Sequence, residues 1–263
     1  MSTLLRKLRL RVVIRRYEVI LIASVMLLSG AVMPSSWEPA FRSYPLPPVV
    51  LPPQHPWIAL TFDDGPHAGK TQELLMVLRT AHVPATFFVV GKMADRYPQL
   101  IREIARDGHE LANHTYSHPD MSRLSDAQVI SELEKTRAVI HKLSGQEGYL
   151  FRPPGGDFSR RMVRLTAKAG YRMVLWSVLT RDVEGASSAS MRARILKGAD
   201  DGGIILMHSG MKNTLDMLPG VIAQLRQRGY HFVTISTLLG LSPAHPTLPV
   251  EMPVLQTASN QTY

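Results

Sequence analysis

Short apolar runs alternate along the chain with longer segments in which apolar residues recur at helical spacing. The runs are rich in Val, Ile and Phe and predict strands at residues 57–62, 85–90, 109–112, 148–151, 172–176, 203–207 and 231–235. The intervening segments predict helices at residues 71–81, 99–106, 126–143, 160–169, 190–198 and 215–228. Seven such βα-like units predict a parallel, barrel-type α/β fold.

The two ends of the chain have a different composition. Six Lys or Arg residues between positions 6 and 16 precede an apolar run at 19–33, so residues 1–33 are interpreted as a basic n-region and an uncleaved signal anchor. Cleavage and secretion remain the alternative, because a run of fifteen residues is shorter than the roughly 20 of a full span. Residues 34–56 contain eight prolines and form a linker, and residues 241–263 form a disordered tail. A catalytic domain at 57–240 is therefore expected outside the cytoplasm, in the periplasm or at the cell surface.

The charge and the cysteine content narrow the classes of function. The net charge is +9, but residues 1–54 contribute more than half of it and no basic stripe is interleaved with aromatic residues. We therefore expect no nucleic-acid partner and one membrane contact, through the N-terminal segment. The chain has no cysteine, so any metal ion must be held by histidine and carboxylate.

Ionisable residues follow the carboxyl ends of five predicted strands, which is the face where βα barrels build their active sites. They are Asp63 with Asp64, His114 with His118, Arg152, Asp182 and His208.

Two of these groups have the composition of a metal site. The two carboxylates precede Gly65 and Pro66, and taken alone they could equally cap a turn. His114 and His118 are four residues apart, a spacing that in a helical turn places two imidazoles on one face. Together with Asp64 they form a set of two histidines and one carboxylate that leaves positions open, as a catalytic zinc or similar ion requires.

Five motifs appear in a fixed order: TFDDG at 61–65, HTYSH at 114–118, RPPGG at 152–156, WSVLTRD at 176–182 and LMH at 206–208. Over residues 57–239 the chain resembles the polysaccharide deacetylases that share the NodB homology domain, carbohydrate esterase family 4. The resemblance implies a distorted (β/α)₇ barrel.

The resemblance also implies a role for each matched residue. Asp64, His114 and His118 would hold one divalent ion, most simply zinc, with cobalt or manganese as alternatives. Asp63 would be the general base oriented by Arg152, and His208 would be the general acid. The backbone N–H of Gly155 would stabilise the oxyanion, and Leu206 would line the acetyl-methyl pocket. Trp176 is assigned to substrate binding and Asp182 to the catalytic set.

Two positions depart from the family pattern. Gly155 stands where the third motif has an aromatic residue, so one wall of the substrate groove is missing or comes from elsewhere. Leu179 stands where the fourth motif has the aspartate that serves the acid histidine, which predicts a lower pKa for His208 than in typical members of the family. The competing possibility is that Asp182 serves the same histidine.

The sequence thus predicts a hydrolase of C–N bonds that removes N-acetyl, or O-acetyl, groups from a glycan such as peptidoglycan or an exported polysaccharide. Two alternatives stay open. One is a hydrolase of a small non-peptide C–N bond, and the other is a catalytically silent carbohydrate-binding protein.

Overall fold

The computed structural model describes residues 56–241. The predicted signal anchor at 1–33 and nearly all of the predicted linker and tail lie outside the described residues, so these assignments stay predictions. Within residues 56–241, no helix combines the length and the hydropathy needed to cross a bilayer.

The strands form one parallel sheet that curls into a half-barrel, which confirms the parallel α/β fold. They are β1 (Trp57–Asp63), β2 (Thr86–Val89), β3 (Glu110–Asn113), β4 (Leu150–Phe151), β5 (Arg172–Met173), β6 (Val178–Leu179), β7 (Gly203–His208) and β8 (His231–Phe232). Their order is β5-β4-β3-β2-β1-β7-β6, with β8 beside the start of β1. Among the described residues, β5 and β6 are the two edges, so the barrel is open between them.

Helices follow most of the strands: α1 (Lys70–Ala81), α2 (Gly91–Arg96), α3 (Pro98–Arg106), α4 (Asp126–Ser144), α5 (Arg160–Lys168), α6 (Ser188–Gly198), α7 (Lys212–Gln227) and α8 (Ile235–Leu238). Helix α4 illustrates how the sequence sets their ends. The Ser125 side chain accepts from the backbone N–H of Gln128, whose side chain in turn accepts from the N–H of Ser125. At the other end, Gly145 takes a left-handed conformation with φ 74°.

Three elements differ from the sequence predictions. The predicted strand 172–176 ends at Met173, and Val178–Leu179 forms a separate strand beside β7. The predicted strand 231–235 ends at Phe232, because Thr234 caps a short helix with its hydroxyl. The sequence did not predict α2, whose six residues are too few to show helical periodicity.

The alternation of side chains along β1 separates the core from the site. Ile58, Leu60 and Phe62 belong to the main core cluster, which also contains residues of α1 and α7. The alternate position Ala59 belongs to a smaller cluster with buried residues of β2 to β4 and the β5–β6 connection, namely Phe88, Ala112, Leu150 and Val174. Thr61 and Asp63 continue the row of Ala59, because side chains two apart on a strand share a face. The row therefore ends in a carboxylate at the carboxyl edge of the sheet.

Candidate metal centre and active site

Asp64, His114 and His118 converge on one point at the carboxyl edge of the sheet. Oδ1 of Asp64 lies 3.3 Å from Nε2 of His114 and 3.3 Å from Nε2 of His118. Two ligands bound tetrahedrally to one zinc ion at about 2.0–2.1 Å are themselves about 3.3 Å apart. The same Oδ1 is buried and has no hydrogen-bond partner in the described structure. A cation bound between the three atoms would satisfy it, so these residues fit a metal ion.

The two carboxylates separate because the backbone turns at Asp64. Asp63 is the last residue of β1 and is buried, whereas Asp64 has a left-handed φ of 72°. This conformation is costly for a residue with a Cβ and is found where surrounding structure enforces it. Gly65 then passes so close to Ser209 that an added Cβ would lie 2.5 Å from its Oγ. The turn gives the adjacent carboxylates different surroundings.

The two histidines do not lie on a helical turn, so that sequence expectation is wrong. Residues 114–118 form an irregular loop in which Thr115 and His118 have positive φ values of 66° and 57°. The side chain of Asn113 accepts from the N–H of Thr115, and the carboxylate of Glu132 accepts from the N–H groups of the next two residues. These hydrogen bonds satisfy the backbone outside a helix and bring the two rings to a centroid distance of 5.1 Å.

The backbone of Arg152 fixes the tautomer of His114. Nδ1 of His114 lies 2.8 Å from the carbonyl oxygen of Arg152. A carbonyl only accepts, so Nδ1 carries the hydrogen and Nε2 presents its lone pair towards Asp64. The ring is therefore oriented for coordination before any ion binds.

Asp63 is held by the fully buried guanidinium of Arg152. Nη1 of Arg152 donates to Oδ1 of Asp63 at 2.7 Å and to the hydroxyl of Thr61 at 2.9 Å. Nε and Nη2 donate to the carbonyls of Val174 and Leu175, each at 3.1 Å. The other oxygen of Asp63, Oδ2, lies 3.9 Å from Nε2 of His114 and is the one directed at the candidate metal centre.

His208 is paired with Asp182, which contradicts the expectation drawn from Leu179. Nδ1 of His208 donates to Oδ1 of Asp182 at 2.7 Å, and Asp182 is completely buried. Burial alone lowers the pKa of His208, but the hydrogen bond and charge of Asp182 outweigh it, and the pKa is raised above the ordinary value. The competing possibility, that Asp182 serves this histidine, is the one the geometry supports.

Charge coupling extends across the whole cluster. Burial raises the pKa of Asp64, but when the rings of His114 and His118 are protonated their hydrogen bonds and positive charge outweigh it and hold the pKa far below its usual range. Nε2 of His208 lies 4.0 Å from Oδ2 of the same carboxylate. A base candidate and an acid candidate therefore both reach the candidate metal centre.

Comparisons with known proteins agree with this geometry. The family model described as polysaccharide deacetylase matches residues 51–174. Over 189 residues the chain is 33% identical to a peptidoglycan-N-acetylglucosamine deacetylase of Bacillus cereus, covering 70% of this chain and 69% of the relative. The chain belongs to the polysaccharide deacetylase family.

Two further relatives of this polysaccharide deacetylase show the same likeness. The peptidoglycan-N-acetylmuramic acid deacetylase PdaA of Bacillus subtilis is 33% identical over 186 residues, which are 69% of this chain and 71% of PdaA. The structure of a family 4 carbohydrate esterase from Streptomyces lividans in complex with acetate is 36% identical. It superposes with a TM-score of 0.66 over 69% of this chain and 93% of the esterase. Glycan deacetylation by a hydrolase is thus the activity of this family.

The three candidate substrate-binding residues of the deacetylase have different surroundings. Gly155 lies in a tight turn at 154–156 with φ 66°, and an added Cβ would meet nothing within 4 Å. The Trp176 ring packs against Gly156, where an added Cβ would lie 2.4 Å from it. Leu206 is buried in β7, in register with Thr61 of β1 and Leu179 of β6.

Two residues that hold the site in place were not predicted from the sequence. Thr214, buried in the first turn of α7, donates to Oδ2 of Asp182 at 2.8 Å. Glu132, on α4, holds the loop that contains His118. Neither residue stands in one of the five motifs, and their distance along the chain gave no signal of the contact.

Proposed function

We propose that this chain is a metal-dependent N-deacetylase of peptidoglycan glycan strands and that it acts outside the cytoplasm. The observation that carries the proposal is the arrangement of Asp64, His114 and His118. Asp63 lies 3.9 Å from Nε2 of His114, and His208 lies 4.0 Å from the other carboxylate oxygen of Asp64. The choice of peptidoglycan as substrate rests on the names of the relatives. The location outside the cytoplasm rests on the sequence of residues 1–56.

Asp64, His114 and His118 would hold the ion. When bound, it would supply Lewis-acid chemistry, lowering the pKa of a coordinated water and polarising the acetyl carbonyl. Zinc is the simplest occupant of a site with two imidazoles and one carboxylate, with cobalt and manganese as alternatives.

Asp63 is the proposed general base. Arg152 occupies Oδ1, which leaves Oδ2 to accept a proton from the attacking water. The buried guanidinium also keeps the carboxylate in one orientation, since its three other partners, Thr61, Val174 and Leu175, hold it in the barrel. A base held in one position needs no reorganisation during the reaction.

His208 is the proposed general acid. Asp182 holds Nδ1, so Nε2 is the atom that donates a proton to the departing amine. The negative charge of Asp182 stabilises the protonated imidazole, which is the form that an acid needs before the bond breaks.

The acetyl group of the substrate would lie between Asp63 and His208. The backbone N–H of Gly155 is the proposed donor to the developing oxyanion, and Leu206 and Trp176 are the proposed contacts of the acetyl methyl. A left-handed Gly155 with open space beside it leaves room for a polymer to pass.

Acetate release from purified full-length protein tests the proposal. Glycan strands containing N-acetylglucosamine and N-acetylmuramic acid, chitooligosaccharides and an O-acetylated glycan are compared after metal removal and after addition of zinc, cobalt or manganese. We expect release from N-acetylated strands only with metal. Asp64→Ala should abolish it, whereas Asp216→Ala, which removes an exposed carboxylate of α7 that pairs with Lys212, should not. Release that is insensitive to chelator contradicts the metal role, and hydrolysis of small amides alone supports the alternative function.

A further inference from the structure

A cleft of about 370 Å³ opens directly beside the candidate metal centre. Asp64 and His118 form one wall, and the other is formed by Val90 and by residues of α2. Two of the latter, Lys92 and Arg96, are cationic and exposed. They are four apart on α2, which places them on one face of the helix. The cleft therefore has a cationic side next to the atoms that carry the reaction.

Neither cation is neutralised by a neighbour. In the described part of the chain no ion pair involves Lys92 or Arg96, and the guanidinium of Arg96 only lies 5.3 Å from the ring centroid of Tyr97. Asp64 lies across the cleft among the candidate metal ligands, and two other carboxylates of α2 and α4 have partners of their own. Asp95 accepts from the hydroxyl of Tyr116 at 3.0 Å, and Glu132 accepts from the backbone of the 114–118 loop.

The cationic side is tied to the metal-ligand loop. The N–H of Gly91 donates to the carbonyl of Thr115 at 2.9 Å, and the N–H of Lys92 donates to the carbonyl of Tyr116 at 2.8 Å. Helix α2 approaches so closely that a Cβ on Gly91 would lie 2.6 Å from the Tyr116 ring. Lys92 and Arg96 thus start from a backbone that is hydrogen-bonded to the loop that carries His118.

We propose that Lys92 and Arg96 form a subsite for a carboxylate of the glycan, carried on or next to the sugar that loses its acetyl group. The N-acetyl group is neutral, so two cations beside it gain no charge interaction from the acetyl group and would favour an anionic neighbour. In peptidoglycan that anion is the lactyl carboxylate of a muramic residue or a carboxylate of the attached peptide. The inference rests on the proposed function and specifies its substrate as an acidic glycan.

Binding to two matched probes tests the subsite. One probe is a tetrasaccharide of alternating N-acetylglucosamine and N-acetylmuramic acid with free lactyl carboxylates, and the other is the same tetrasaccharide with those carboxylates amidated. Isothermal titration calorimetry compares full-length wild type with the double variant Lys92→Gln/Arg96→Gln. We expect the double variant to bind the acidic probe about tenfold more weakly and the amidated probe as wild type does.

A second double variant, Arg164→Gln/Lys168→Gln, controls for net charge. It removes one Arg and one Lys at the same spacing on α5, both exposed and outside the cleft. We expect it to bind both probes as wild type does. Equal affinity of wild type for the two probes overturns the subsite, as does equal loss in both double variants.

Acetate release, measured separately, distinguishes failure of the two proposals. Wild type that binds the acidic probe through Lys92 and Arg96 but releases acetate from no glycan contradicts the proposed function and leaves the subsite standing. Wild type that releases acetate equally from both probes, with the same KM, contradicts the subsite and leaves the proposed function standing.

Discussion

Asp182 holds His208 at two points: Oδ1 accepts from the ring Nδ1 at 2.7 Å, and Oδ2 accepts from the backbone N–H of the same residue at 2.7 Å. The hydroxyl of Thr214 adds a third donor to this carboxylate. Burial raises the pKa of Asp182, but its hydrogen bond and charge interaction with His208 outweigh it, so the pKa lies below the ordinary value. Asp182 is therefore a permanent negative charge behind the imidazole near neutral pH.

Removing that charge should shift the pH profile of the enzyme. In Asp182→Asn the shape is kept but the charge is lost, so the pKa of His208 falls and the protonated imidazole disappears at lower pH. We expect the alkaline limb of kcat to move towards lower pH, with about a tenfold loss or more above neutrality. A kcat profile for acetate release checks this, with Asp216→Asn as the control. An alkaline limb that stays in place in Asp182→Asn assigns the limb to another group.

Asp63 and Asp64 should separate metal binding from turnover. Asp64→Asn should lose most of its metal, because Oδ1 of Asp64 is the atom nearest to both imidazoles. Asp63→Asn should be less stable than wild type, because Arg152 loses its counter-charge. The folded variant should keep metal and lose kcat by roughly 100-fold or more, since a base contributes to the reaction and not to coordination. Metal content after dialysis and acetate release are measured on both. Equal loss of metal in the two variants means that Asp63 is itself a ligand.

Gly155 and Gly156 form a matched pair for testing the contact with Trp176. Both have positive φ, 66° and 74°, so an alanine at either position carries a similar backbone strain of about 1 kcal/mol. Only at Gly156 would the new Cβ meet the Trp176 ring, at 2.4 Å. We expect Gly156→Ala to lower the free energy of unfolding by roughly 1–3 kcal/mol more than Gly155→Ala. Urea denaturation measures the free energy of unfolding of the two variants. Equal losses in that free energy show that Trp176 moves aside freely.

His109 should make stability depend on pH. It is buried, with Nδ1 accepting from the N–H of Ala85 and Nε2 without a partner in the described structure. Burial lowers its pKa to about 4, from 6.5. The folded state thus keeps the ring neutral while the unfolded chain takes up a proton, so stability is present above pH 6.5 and is lost as pH falls towards 4.

The size of that effect can be measured by removing the titrating group. Two-state linkage gives a loss of about 2 kcal/mol between pH 7 and pH 5 from this residue alone. Denaturation of metal-free wild type and of His109→Gln at both pH values isolates it, because all other groups are common to the two proteins. An identical pH dependence in the two proteins contradicts the buried neutral state.

The sequence reveals the parts of this site that depend on local pattern. The apolar run of β1 and the carboxylates at its end are adjacent in the chain, so alternation and strand-end position place Asp63 and Asp64 together. The five ordered motifs then assign the other groups by resemblance.

Contacts between segments that are distant along the chain were harder to predict from the sequence. The pairing of Asp182 with His208 depends on how the chain turns after β6, a two-residue strand that no periodicity can show. The 114–118 loop is irregular because Asn113 and Glu132 bind its backbone, and Glu132 lies far along the chain. In both cases a buried polar side chain from elsewhere decides the local conformation.

Because the guanidinium of Arg152 is buried, loss of Asp63 and loss of Asp64 have different consequences for the stability of the fold. Loss of Asp63 would leave a fully buried cation without its counter-charge, which endangers the fold itself. Loss of Asp64 would leave no donor stranded, because its Oδ1 accepts no hydrogen bond in the described structure. A duplicated gene could thus discard the metal centre in one step and still encode a stable protein. Descendants that retain the barrel and its arginine but have lost the reaction are accessible to evolution, and they should differ first at position 64 and not at position 63.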